Sequence, residues 1–220
     1  MMATRIVIFA KAPVPELAKT RLIPRLGAEG AAVLARLMLD VTLERALAAD
    51  IGPVELCVSP EIDDPAWNTF ARLPGIEYSS QGDGDLGVRM GRAAERIIRG
   101  GESIVMIGTD CPELTPARLR HAAALLREAD ATLFSAVDGG YVLLGLNRHH
   151  PYLFEGIPWG TSIVAFATLC RLGQLGWTVR NGPMLHDIDE PEDLKWVPDE
   201  WLQRMPAGTH AIAPEQAART

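Results

Sequence analysis

Short apolar runs and long helix-like stretches alternate along nearly all of this 220-residue chain, and that alternation limits the available folds more than any other feature. RIVIFA, VELCVS, IEYSS, SIVMIG, ATLFSAV and YVLLGL are each bounded by breakers. Most are separated by stretches of helical length: AEGAAVLARLMLDVTLERALAA, DLGVRMGRAAERIIR, PARLRHAAALLREA and SIVAFATLCRLGQLG. The longer strand runs are apolar throughout rather than at every second position, the pattern of strands covered on both faces. Strands alternating with helices define βαβ units and a mostly parallel sheet between helical layers, a three-layer αβα sandwich. The length suits a single domain over residues 1–205. Residues 206–220 lack apolar periodicity and read as a loose tail.

Helix starts are legible where a capping side chain precedes a proline, at Asp64-Pro65 and Thr115-Pro116. Glu190-Pro191 repeats the pattern with a poorer cap, and Asp193 can compensate from the first turn. Thr161 or Ser162 is expected to cap the helix that follows Trp159.

Charge and cysteine usage exclude several functions. The formal net charge is -7, which argues against a general nucleic-acid surface or an anionic-membrane surface. Cys57, Cys111 and Cys170 are odd in number and far apart, so neither a disulfide framework nor a paired-cysteine metal site is expected. The first apolar run is too short for a signal-peptide core, and no stretch is long enough to span a bilayer. The expectation is a cytoplasmic protein with no membrane insertion. Its oligomeric state is open, a homodimer being one option.

Against that acidic background, KAPVPELAKTRLIPR concentrates Lys11, Lys19, Arg21 and Arg25 just after the first strand. Ligands of open α/β sheets sit beyond the carboxyl ends of the strands. Positive charge there suits phosphates, with Lys as a point charge and Arg as a fork; a solvated surface loop is the alternative. In GTDCPEL, Asp110 ends a buried strand, as a hard-oxygen ligand for magnesium or manganese or as a turn-capping Asp. In HDIDEPEDL, Asp187 and Asp189 are two apart and share a face if extended, either completing a metal site with Asp110 or capping the next helix. In QGDGDLGVRM, from Gln81, the residues Gly84, Asp85, Gly87 and Arg89 form a glycine-interrupted turn opening a helix, able to meet a ligand through free amides. Asp138, Gly139 and Gly140 permit a close backbone approach or a hairpin turn. Trp159, in IPWGTS beside Thr161, can wall a pocket or pack on the sheet.

Taken in order, FAKAPVPxxxKTRL, GDLGxRM, GTDCPEL, DGGYxLxGL, WGTS and DIDxPEDL resemble the bacterial DUF2064 proteins over about residues 4–197. That family is described as nucleotide-diphospho-sugar transferases of the GT-A, Rossmann-like fold and includes a subgroup linked to arsenosugar biosynthesis. The wider superfamily contains nucleotidyltransferases that also use a basic loop after strand one and an Asp equivalent to Asp110. The resemblance implies a nucleotide or nucleotide-sugar donor, a small-molecule acceptor and a Mg2+ or Mn2+ cofactor. It places Lys11, Lys19, Thr20 and Arg21 on phosphates, with Asp110, Lys19 and Arg21 catalytic. Gln81 to Gly87 and Arg89 would meet the nucleotide. Asp138, Gly139, Gly140, Trp159 and Thr161 would border sugar or acceptor, and Asp110 with Asp189 or Asp187 would hold the metal. Glycosyl transfer is the first expectation and nucleotidyl transfer from a nucleoside triphosphate the alternative. The chain departs from the pattern in three places. TDC stands where many glycosyltransferases have two carboxylates, Glu16 replaces a common Gly, and Glu190 replaces the Thr of DTPEDL.

Overall fold

The structure is a computed structural model describing residues 3–204, so the tail expected at 206–220 lies outside the described residues. In chain order the elements are β1 (Thr4–Lys11), α1 (Ile23–Ala49), β2 (Val54–Ser59), β3 (Ile76–Ser80), α2 (Leu86–Arg99) and β4 (Ser103–Ile107). There follow α3 (Pro116–Leu126), β5 (Ala131–Ser135), β6 (Tyr141–Leu146), α4 (Val164–Gln174), β7 (Val179–Asn181) and α5 (Asp199–Arg204), with short 3-10 turns between. The strands form one seven-stranded sheet in the order β3-β2-β1-β4-β6-β5-β7. Every neighbouring pair is parallel except those of β6, which runs antiparallel to both β4 and β5.

Alternating side chains divide the core into two layers. Ile6 and Ile8 face Leu39 and Leu43 of α1 and Leu119 of α3. Val7 and Met106 face Met90 and Ile97 of α2 and Leu172 of α4. The αβα sandwich read from the apolar runs is therefore present. A third cluster joins Leu34 and Met38 of α1 to Ile188, Leu194 and Trp201, and so fastens the segment after β7 onto α1.

The helix caps follow the side-chain chemistry. The Asp64 carboxylate accepts from Ala66 N–H at 2.8 Å, Asp85 from Val88 N–H at 2.9 Å, and the Thr115 hydroxyl from Arg118 N–H at 3.3 Å. Asp193 supports the 3-10 turn at Pro191–Trp196 by accepting from the backbone N–H of Glu190 at 2.8 Å. The expected cap of α4 is not formed. Ile163 holds the cap position, and the Thr161 hydroxyl instead donates to the Pro158 carbonyl at 2.7 Å. α1 begins a turn before the expected start, because the chain enters it at Ile23 and breaks helical geometry at Gly27, where φ is 71°. β7 and α5 were not anticipated. β7 is an exposed three-residue edge with one apolar side chain, and α5 spans six residues, so neither carries a periodic signal.

Two consequences fix where function can sit. The chain leaves β1 for β2 on one side, while β4 lies on the other, so the carboxyl end of β1 is the topological switch point. Because β6 is antiparallel, the hairpin at Asp138–Gly140 returns to the same sheet edge, beside the end of β4.

Candidate active site

Three segments meet at that edge: the loop after β1, the turn after β4, and residues 186–190. The third is pinned to the second by two backbone contacts. Ile188 N–H donates to the Asp110 carbonyl at 3.0 Å. His186 N–H donates to the Glu113 carboxylate at 2.8 Å, and His186 Nδ1 lies 2.9 Å from the same oxygen. A carboxylate only accepts, so Nδ1 carries the proton. The His186 ring stacks on Trp196 with centroids 3.9 Å apart. Ile188 is fully buried between the aspartates. Its inward side chain turns Asp187 and Asp189 outward, as the spacing of two predicts.

The first loop supplies the counter-charge. Lys19 Nζ lies 2.9 Å from Asp110 Oδ2 and 2.6 Å from Asp189 Oδ1. Its side chain is only 11% exposed, so the ammonium is held by these carboxylates rather than by water. Burial pulls the Lys19 pKa down, but Asp110 and Asp189 outweigh it and the net shift is upward. Burial likewise pushes Asp189 up, and Lys19, Arg21 and Lys11 bring it below the usual carboxylate range. Among the described residues Asp187 has no such partner. Burial, then the charges of Asp110, Asp138 and Asp189, push it up to about 7. Arg21 reaches Glu190 at 3.1 Å, an exposed pair that leaves the guanidinium available. Glu190 thus faces the first loop, and Asp193 serves the turn.

Two cavities adjoin here. A basic one of about 380 Å³ is lined by Lys11, Lys19, Thr20, Arg21 and Gln81, with Asp110 and Asp189 at one side. An acidic one of about 300 Å³ is lined by Asp110, Asp138, Asp187 and Asp189, with Arg21 its only cation among the described residues. Tyr141 and Trp159 wall the acidic cavity as an edge-to-face pair with centroids 6.4 Å apart, and Gly140 and Thr161 complete that side. Arg21, Asp110 and Asp189 belong to both.

Several residues expected at the nucleotide also make contacts within the protein. Gln81 is buried, and its amide donates to the carbonyls of Ala10 and Cys57 at 3.1 and 3.0 Å. Its side-chain oxygen accepts from Arg89 at 3.2 Å, and Arg89 Nε holds the Gly84 carbonyl at 2.8 Å. These groups build the floor and the turn, and Asp85 caps α2. Gly87 permits close packing: a Cβ there would lie 2.7 Å from Trp159 Nε1. Gly139 does the same for the hairpin, where a Cβ would lie 1.9 Å from the Ser162 carbonyl oxygen. Gly108 leaves room for the Asp110 carboxylate, whose oxygen would be 2.8 Å from a Cβ. Phe9, Leu86 and Met90 line the cavities without having been singled out. They lie beside quoted motifs, but as apolar residues in apolar patterns they carry no separate signal.

The donor set around Asp110 consists of carboxylate oxygens, the ligands of Mg2+ and Mn2+. The Lys19 ammonium already stands as a cation between two of them. Among the described residues no three acidic, histidine or cysteine groups converge as a ready metal site. Two carboxylates suit a hard divalent cation that takes the rest of its shell from phosphate and water.

The fold is shared with nucleotide-handling transferases. A crystal structure from Desulfovibrio desulfuricans G20, provisionally named a nucleotide-diphospho-sugar transferase, is 28% identical with a TM-score of 0.82, covering 96% of this chain and 94% of that one. CMP:2-keto-3-deoxy-manno-octonic acid synthetase complexed with CTP is 14% identical with a TM-score of 0.55, covering 92% and 99%. A nucleotidyl transferase from Methanothermobacter is 16% identical with a TM-score of 0.58, covering 92% and 99%. The last two show the fold alone. None of the curated proteins compared with the chain matches it. Residues 42–161 match the family described as "Uncharacterized protein conserved in bacteria (DUF2064)", and the chain belongs to that family. Among the described residues no helix is long and apolar enough to cross a membrane.

Proposed function

We propose that the protein is a metal-dependent glycosyltransferase, taking a nucleotide-diphospho-sugar and moving its sugar to a small-molecule acceptor. The division of charge between the two adjoining cavities carries this reading. A diphosphate belongs with Lys11, Lys19 and Arg21. A neutral, hydroxyl-rich sugar or acceptor suits the acidic cavity, where carboxylates accept its hydroxyl hydrogens and Tyr141 and Trp159 offer apolar faces. The likeness to the Desulfovibrio protein points the same way.

Asp110 and Asp189, with Asp187 beside them, would hold Mg2+ or Mn2+, which when bound would supply positive charge to a departing diphosphate. Arg21 stands at the seam of the cavities, where its fork can stabilise phosphate oxygens as the sugar–oxygen bond breaks. Glu113 and His186 keep the aspartates in register.

One observation favours nucleotidyl transfer from a nucleoside triphosphate instead: the basic cavity offers three cations. That reaction would place a phosphorylated acceptor among Asp110, Asp138 and Asp187, where like charges repel. The deciding experiment incubates the purified protein with Mg2+ and a panel of nucleotide sugars, or with four nucleoside triphosphates and phosphorylated acceptors. Release of nucleoside diphosphate is expected. Pyrophosphate release without any nucleoside diphosphate would replace this reading with the second.

A further inference from the structure

The Lys19 ammonium stands on one oxygen of each of the two carboxylates that would hold the metal ion. It bridges Asp110 and Asp189 at 2.9 and 2.6 Å. The backbone is arranged for this contact. Lys19 has φ 48° and ψ 43°, the left-handed region that a non-glycine residue enters at a cost, and Glu16 in the same loop has φ 63°. Strain in two residues of one short loop, ending in a doubly paired, nearly buried ammonium, is the mark of a positioned side chain.

We infer that Lys19 is a tethered counter-ion that keeps the divalent cation out until phosphate arrives, making metal and phosphate binding mutually dependent. Without ligand, its charge compensates Asp110 and Asp189, and a metal must displace it from two hydrogen bonds. A phosphate in the basic cavity gives the ammonium a second anion within reach of the same loop, so the carboxylates are freed for the metal as the lysine turns to the phosphate. Coupling of this kind is reciprocal and typically ranges from about 5- to 150-fold. The phosphate half of the exchange rests on the nucleotide reading above, whereas the exclusion of metal rests on the Lys19 contacts alone.

The test is binding, not turnover. Mn2+ affinity is measured by electron paramagnetic resonance for the wild type, Lys19→Met and Lys19→Gln without nucleotide, folding being checked by circular dichroism. Both substitutions should tighten Mn2+ by at least about fivefold, the lower end of such couplings. Affinity unchanged or weakened in a folded variant would overturn the inference. In a second arm, melting is followed with Mn2+, with pyrophosphate, and with both. Wild type should gain more from the pair than from the sum of the separate shifts, and Lys19→Gln should show a smaller excess. An additive response in the wild type would overturn the coupling, and this arm needs no variant. If neither pyrophosphate nor any nucleotide shifts the wild type while the variants still gain Mn2+ affinity, the nucleotide reading and the phosphate exchange both fall, and metal exclusion by Lys19 stands.

Discussion

Removing the Glu113 carboxylate tests whether the two aspartates are held in place from outside the cavities. Glu113 accepts from His186 N–H at 2.8 Å and from the His186 ring at 2.9 Å, and pairs with Arg118 at 3.4 Å. A hydrogen bond to a charged group contributes about 1.5–3 kcal/mol. Glu113 is about one-third exposed, and solvent screens part of this. Taking the low end, Glu113→Ala should cost about 2 kcal/mol in all, or about 4–8 °C of melting temperature at this chain length. Glu113→Gln keeps an acceptor for the backbone N–H and should cost about half as much. The pH dependence has a definite sign. Burial pushes the Glu113 pKa up, but the His186 N–H and ring, then Arg118, outweigh it and leave it below the usual glutamate range. A lowered carboxylate contributes stability above its unfolded pKa of about 4.3 and loses it as pH falls through the lower folded value. The gap between wild type and Glu113→Ala should therefore be constant from about pH 6 to 8 and close as pH falls below about 4. Urea denaturation across pH measures this. Because the freed segment carries Asp187 and Asp189, transfer activity should fall by more than about tenfold, since displacements near 1 Å can cost a hundredfold. A variant that loses stability but keeps full activity would refute the positioning role.

Of the three thiols, only Cys170 should react quickly with an alkylating reagent under native conditions. Cys57 and Cys111 are buried, and burial pushes the Cys111 thiol up to about 12; mass spectrometry of labelled peptides checks this, and rapid labelling of Cys111 would contradict it. Glu16→Gly should stabilise the protein modestly, by less than about 1 kcal/mol, because glycine adopts the positive φ of 63° without a Cβ clash while the unfolded chain gains entropy. Denaturant titration measures the difference, and a clear destabilisation would mean that the Glu16 side chain is needed in the loop.

The sheet was legible because its central strands are buried on both faces and appear as apolar runs, SIVMI of β4 most clearly. The β6 reversal was legible only as one of two options, a hairpin turn at Asp138–Gly140, and the short β7 edge not at all, since a single apolar side chain leaves no periodicity. The basic loop and its acidic partners were readable from charge and from their place after strands. Their pairing was not: Lys19 and Asp189 are 170 positions apart and meet only through the fold. Gln81, Gly87 and Gly139 illustrate the opposite case. They stand in motifs that suggest ligand contact, and their geometry also serves the fold, through backbone carbonyls, Trp159 and Ser162. Glu16 holds a φ of 63°, the backbone region that glycine enters most readily, which agrees with the glycine that the resemblance leads one to expect there.

The most direct test is a thermal-shift titration with nucleoside diphosphates and nucleotide sugars, with and without Mg2+, on wild type and Asp110→Asn. A ligand binding only the native state adds about 2.7 kcal/mol at one hundred times its dissociation constant. The wild type should be stabilised by at least one such nucleotide in a Mg2+-dependent manner, and Asp110→Asn should lose that dependence while remaining folded. An equal Mg2+-dependent shift in the variant, or no nucleotide shift in the wild type, would contradict the account.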